Sequence, residues 1–168
     1  MNHDDGRTEE KLFPSAFHSV VLGWLSVGIL DAAAASVSAI VRGGSPARVW
    51  QYVASSLLGP DSFDRGTTSV AIGLIIHFTV ALGVALGFYL LARLFPFVIR
   101  HAVVSGIVYG IAVYFAMQYV FVPLTLAKRG GFSFSAFITG ILIHIFFVGL
   151  PPALITRKFA KPISMSTD

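Results

Sequence analysis

Four apolar stretches, at residues 15–41, 68–92, 102–124 and 132–156, dominate this chain. Each is long enough to cross a hydrocarbon layer as a helix, which takes about 20 residues at 1.5 Å of rise apiece. Nothing else in the sequence limits the fold as tightly. A backbone in lipid must satisfy its own N–H and C=O groups, so segments of this length specify helices packed side by side. Composition agrees. The chain is 55% hydrophobic and 12% charged, whereas a soluble domain carries roughly 25% charged residues to coat itself in water. The expected fold class is an all-α membrane protein: a four transmembrane helix bundle with one amphipathic interfacial helix in the first extramembrane loop. Residues 1–14 read as a polar N-terminal tail, 15–156 as the transmembrane domain and 157–168 as a basic C-terminal tail.

Helix-terminating chemistry supports these bounds. Pro14 and Ser15 suit the start of the first span, and Gly43-Gly44 its stop. Thr67 or Thr68 can cap the second, Pro96 separates it from the third, and Pro123 closes the third. Pro151 and Pro152 fall inside the last apolar stretch. Proline lacks the amide hydrogen and collides with the preceding turn, so a kink or break is expected near Gly149. The first span reads as retained. Its leading segment is acidic (Asp4, Asp5, Glu9, Glu10), unlike the short basic region of a secretory signal.

The connection over 42–66 is the only long one. Ser45 can cap, Pro46 suits a first helical position, and Gly59-Pro60 stops the helix, giving a segment at about 46–58. Val49, Trp50, Val53 and Leu57 share a face, which reads as a helix on the membrane surface with Trp50 and Tyr52 at headgroup level. The sharper alternative is a lid over a pocket or a docking surface for a partner. An even number of spans puts both chain ends on one side. Seven basic residues flank that side (Arg7, Lys11, Arg93, Arg100, Arg157, Lys158, Lys161) and five the other (Arg42, Arg48, Arg65, Lys128, Arg129), which orients the termini to the cytoplasm. No run of five basic residues occurs, so nucleic acid is not an expected partner.

Inside lipid, helices associate through close backbone approach. Gly83 and Gly87 in the second span, and Gly106 and Gly110 in the third, have GxxxG spacing, and the first span carries alanines at 32–35 with Ser36 and Ser38. These read first as intramolecular packing and second as a homo-oligomer contact. Phe132, Phe134, Phe137, Phe146 and Phe147 read as lipid-facing bulk. The shared strings "LIIHF" and "ILIHIFF" are too short to indicate a duplication.

Asp31 stands inside an apolar run, "GILDAAAAS", and it has company. Counted from the long-loop side, Asp31, His77, His144 and Tyr114 all fall about 14–18 Å deep, near the centre of a layer roughly 30 Å thick. Gln118 lies one turn shallower than Tyr114. A charge at that depth is costly, so Asp31 should face the bundle interior and hydrogen-bond to His77 or His144. Three readings follow. The cluster is a structural polar network, a proton or cation relay, or a cofactor site. In the last, His77 and His144 ligate haem, or hold a divalent metal together with Asp31. The chain has no cysteine, which removes thiolate chemistry. P-loop, dinucleotide, HExxH and GxSxG signatures are also missing from it. His18 and His101 read as interfacial, and His3 belongs to the polar tail. The expected protein is therefore non-enzymatic, without a cofactor, a structural or accessory component that self-associates in the lipid bilayer. A small proton- or cation-coupled transporter or channel is the competing expectation.

The segments "LLGWLSVGILDAAAASV", "VWQYVASSLLGPDSF", "GLIIHF" and "LIHIFFVGLPPAL", in this order, resemble a family of small bacterial inner-membrane proteins with four predicted spans and no known function. The likeness covers about residues 18–157. It implies a bacterial cytoplasmic membrane and brings no catalytic residue with it.

Overall fold

The structure is a computed structural model that describes residues 12–128 and 130–162. Four helices in it are long and apolar enough to cross a membrane: Ala16–Val41, Gly66–Leu94, Ala102–Leu124 and Phe134–Lys158. We call the first α1 (Ala16–Val41) and the second α3 (Gly66–Leu94), with α2 (Pro46–Leu58) between them. A short α4 (Pro96–Arg100) leads into the third span, whose regular part is α5 (Ala102–Ala116). The fourth span begins as α6 (Phe134–Ile143) and ends as α7 (Leu150–Lys158). The architecture is an all-α bundle. The most apolar window of each span is only 11–22% buried within the chain. Water would not tolerate that much exposed hydrocarbon, whereas lipid solvates it.

Local sequence explains the ends. Gly43 (φ 73°) follows the last turn of α1, donating to the Ile40 carbonyl at 2.9 Å while Gly44 donates to that of Ala39 at 2.8 Å. This paired reverse bond needs a left-handed residue, which glycine supplies without a Cβ clash. Gly59 stops α2 with φ 64° and ψ −160°, an extended positive-φ conformation open essentially to glycine alone. Phe95 is extended, as the residue before Pro96 must be, and α4 starts on that proline. Ser45 is extended at the head of α2 but makes no capping bond; Pro46 alone sets the first turn.

The fourth span does not break near Gly149. It widens into a π-helical turn over His144–Gly149, with Leu150 bonded back five residues to Ile145, and continues through Pro151 and Pro152 into α7. The third span does the same over Met117–Phe121, ahead of Pro123. Both wide turns end two residues before a proline. A wider turn keeps the chain helical where a proline would clash with the carbonyl four residues back.

α1 packs on α3 and on the fourth span, and α5 lies against the other side of the fourth span. At the chain-terminal end the centre is solid: Phe88 and Ala92 of α3 close on Ile99 of α4, Ala102 of α5 and Ala153 of α7. Val27, Ala81, Val84 and Val148 form a second buried group. Two tails meet there as well. β1 (Leu12–Pro14) pairs antiparallel with β2 (Ala160–Pro162), Leu12 opposite Pro162. The tail sequences do not announce this ribbon, which brings residues 12–14 and 160–162 together on one side of the bundle.

The glycine expectations divide. A Cβ on Gly149 would lie 2.7 Å from the Gly110 amide nitrogen and 2.8 Å from its Cα, and one on Gly106 would lie 3.1 Å from Leu150 Cα. Gly106 and Gly110 therefore hold the third span against the π turn of the fourth, backbone on backbone. Gly87 makes room for the Tyr109 hydroxyl, 2.8 Å from where its Cβ would be. Gly83 corrects the reading: it is exposed, with nothing within 4 Å of a Cβ built there. It lies four residues before Gly87, but in α3 that places it on the outward side.

Candidate functional site

α2 turns its tryptophan into the bundle. Trp50 is 7% exposed, and Gln51, Ala54 and Ser55 are buried with it. Leu57, which residue spacing groups with Trp50 on one face, is 65% exposed. The reason is a close approach to α3. A Cβ on Gly73 would come within 2.8 Å of the Trp50 carbonyl carbon, so only glycine there lets α2 nest against the first turns of α3. The inward face is consequently set by small residues, Ala54 and Ser55, rather than by the largest apolar ones.

That contact carries Trp50 to His77, ring centroids 5.2 Å apart in an edge-on arrangement. His77 Nε2 is 2.9 Å from the Gly28 carbonyl of α1. In return Trp24 of α1 donates its indole N–H to the Phe78 carbonyl of α3 at 2.7 Å. The two helices thus exchange side-chain bonds to each other's backbone. A carbonyl only accepts, so His77 Nε2 bears hydrogen and Nδ1 is left facing Asp31 Oδ2, 3.9 Å away. This is an ion-pair separation, longer than the hydrogen bond expected from sequence. It becomes attractive when one further proton resides on either partner, as imidazolium with carboxylate or as imidazole with carboxylic acid.

The Asp31 side chain is 20% exposed, so it is not sealed in a dry core. It is among the residues that line a cleft of about 710 Å³. Counted along their segments, Arg42, Gly131 and Ser133 belong to the loop-side ends, Tyr52, Gln118 and Thr139 also line it, and Asp31 and His144 lie deeper, with Tyr114 beside them. Asp31 lies eleven residues below Arg42, and His144 eleven below Ser133, about 16 Å along each helix. His144 Nδ1 donates to the Gly140 carbonyl at 2.9 Å, leaving Nε2 as the nitrogen able to exchange a proton. Its ring stands edge-on to Tyr114 at 5.2 Å. His77 comes within 4.0 Å of Asp31, whereas His144 feels the Asp31 charge from beyond that distance.

Four of the five cluster residues anticipated from depth therefore line one cleft: Asp31, His144, Tyr114 and Gln118. The fifth, His77, backs onto Asp31 from outside it. Among the described residues no three His, Asp or Glu side chains come together as a metal-ligating group, Asp31, His77 and His144 included. Tyr52 was expected at the membrane surface and instead joins the cleft wall from α2. Tyr119, which also lines the cleft, was not singled out by sequence. Its place beside Gln118 in the π turn becomes a signal only with that wide turn in view. Of the aromatic group, Phe134 and Phe146 are exposed, Phe132 is exposed but also lines the cleft, and Phe137 packs on Tyr114 at 5.8 Å.

Fold and site together define a multi-pass α-helical membrane protein with a cleft whose lining includes Asp31, Tyr114 and His144. No protein-family model, curated protein or solved structure matches this chain.

Proposed function

We propose that this is a small, non-enzymatic proton- or cation-coupled membrane protein. Asp31 receives the ion from the loop-side medium, His77 shares its proton, and His144 and Tyr114 complete the inner end of the cleft. One observation carries the reading: a carboxylate and an imidazole some 16 Å down their helices line the same cleft as Arg42 and Ser133 at the loop-side helix ends. Ionisable groups at such depth commonly mark ion pathways, and a purely structural network has no use for an open route to them. The packed end around Phe88 and Ile99 supplies the closed side that a coupled carrier needs. Both wide helical turns also border the cleft, through His144 in one and Gln118 in the other. Turns of this type occur frequently at functional sites.

The basic-residue balance and the resemblance to small bacterial proteins support an inner membrane with cytoplasmic termini, so that the cleft opens outward. A second reading keeps the cluster as a register-fixing network in an accessory protein. It is favoured by the backbone bonds that both histidines already make.

Reconstitution into liposomes separates the two. Proton or monovalent-cation flux in the wild type that vanishes in Asp31→Asn supports coupling. No flux in either protein, with a lower melting temperature in Asp31→Asn, assigns the cluster to structure.

A further inference from the structure

A second hollow, of about 600 Å³, runs along the outside of the bundle between α1 and the fourth span. Its α1 wall is one continuous stripe, from Leu30 through Ala34 and Val37 to Val41, faced by Ile143 and Phe147. From residue 30 to residue 42 the stripe rises about 18 Å, close to the half-thickness of a hydrocarbon layer roughly 30 Å across. The hollow is apolar along its length and changes character only at the loop-side end. There Arg42 meets the hydroxyl-bearing Ser38, Ser135 and Thr139. Arg42 is exposed, and among the described residues it has no acidic partner. Arg42, Ser38 and Thr139 also border the polar cleft, so hollow and cleft adjoin at this end.

We propose that this hollow is a seat for one phospholipid of the loop-side leaflet. One acyl chain lies against Ala34 and Val37, and the phosphate is held by the Arg42 guanidinium with the neighbouring hydroxyls. The argument rests on matched chemistry at matched heights. An apolar groove one leaflet long ends in a single unpaired cation at the level where a lipid phosphate sits. Guanidinium groups favour phosphate because two parallel N–H donors meet two oxygens. Small side chains at positions 33 and 34 give the depth that admits a chain. The seat goes beyond the ion-handling reading and stands whether or not Asp31 conducts anything.

Native mass spectrometry of the detergent-purified full chain tests it, with three additives: dioleoylphosphatidylglycerol, dioleoylglycerol and inorganic phosphate. The wild type should retain one phosphatidylglycerol, and neither the phosphate-free lipid nor phosphate alone. Arg42→Gln should weaken retention about tenfold, the effect of losing one charge-assisted contact. Ala34→Leu, with Arg42 intact, should abolish it by filling the groove. Arg65→Gln, on the same side but outside the groove, should leave it unchanged. Equal retention by wild type, Arg42→Gln and Ala34→Leu overturns the proposal, as does phosphate binding as strongly as the lipid. The charge state of each variant's spectrum reports its fold, so an unfolded Ala34→Leu is recognised and replaced by Ala33→Leu.

Discussion

His77 reaches from α3 to α1 with both ring nitrogens, Nε2 to the Gly28 carbonyl at 2.9 Å and Nδ1 to Asp31 Oδ2 at 3.9 Å. Gly28 and Asp31 are three residues apart and so lie on one face of α1. The carboxylate thus lines the cleft with the His77 ring 3.9 Å away on its other side. That pairing should be measurable. Asp31→Asn and His77→Ala are each expected to destabilise the protein. The double variant should lose about 0.5–2 kcal/mol less than the sum, the range seen for polar contacts between helices in membranes. Unfolding of all four proteins in one detergent gives the coupling; strict additivity would mean that the two groups do not interact.

Access to the cleft is testable because the chain has no cysteine of its own. Gln118→Cys and Thr139→Cys should react with a charged, membrane-impermeant thiol reagent added on the loop side only. Ala85→Cys, in the packed interior at 1% exposure, should stay unlabelled. Labelling of Gln118→Cys from the terminal side instead would place the opening on the wrong face.

The glycine contacts predict a graded series. Gly149→Ala and Gly110→Ala press a Cβ onto backbone atoms that have nowhere to go, and each should cost about 1–3 kcal/mol, as overpacking does. Gly83→Ala faces open space and should stay within about 0.5 kcal/mol of the wild type. Melting temperatures in a single detergent rank them; a Gly83→Ala loss as large as that at Gly149 would point to a contact made by a second copy.

Trp50 should report the seating of α2. In a Trp24→Phe background its buried indole should resist acrylamide quenching and emit towards the blue. Gly73→Ala pushes a methyl against the Trp50 backbone, so emission should move red and quenching rise. An unchanged spectrum would show that α2 does not depend on that approach.

Tyr109 ties α5 to α3 by donating its hydroxyl hydrogen to the Val84 carbonyl at 2.7 Å. Tyr109→Phe keeps the ring, which packs edge-on to Phe88 at 5.2 Å, and removes only the bond. The expected cost is about 1 kcal/mol, read as a small drop in melting temperature.

How far the sequence could be read follows from what each feature depends on. Spans were legible because hydrocarbon length and backbone satisfaction are properties of a segment alone. The start of α2 at Pro46 and its stop at Gly59 were legible for the same local reason. Depth was legible too, since helical rise converts residue number into height, and Asp31, Tyr114 and His144 do meet on one cleft. Rotation was not. Residue spacing put Trp50 and Leu57 on one face of α2, yet the Gly73 contact buries Trp50 and leaves Leu57 exposed. The same ambiguity made Gly83 look equivalent to Gly87.

By itself, then, the sequence determined that this chain is four apolar helices long enough to span a membrane, because solvent preference and rise per residue act along one helix at a time. Only the tertiary structure decided which imidazole comes nearest Asp31, that residues 12–14 pair with 160–162 as a ribbon, and that one end is packed around Phe88 and Ile99. Those outcomes depend on how each helix is rotated about its axis. That rotation is set by backbone contacts between helices, such as Gly149 against Gly110, which no single segment encodes.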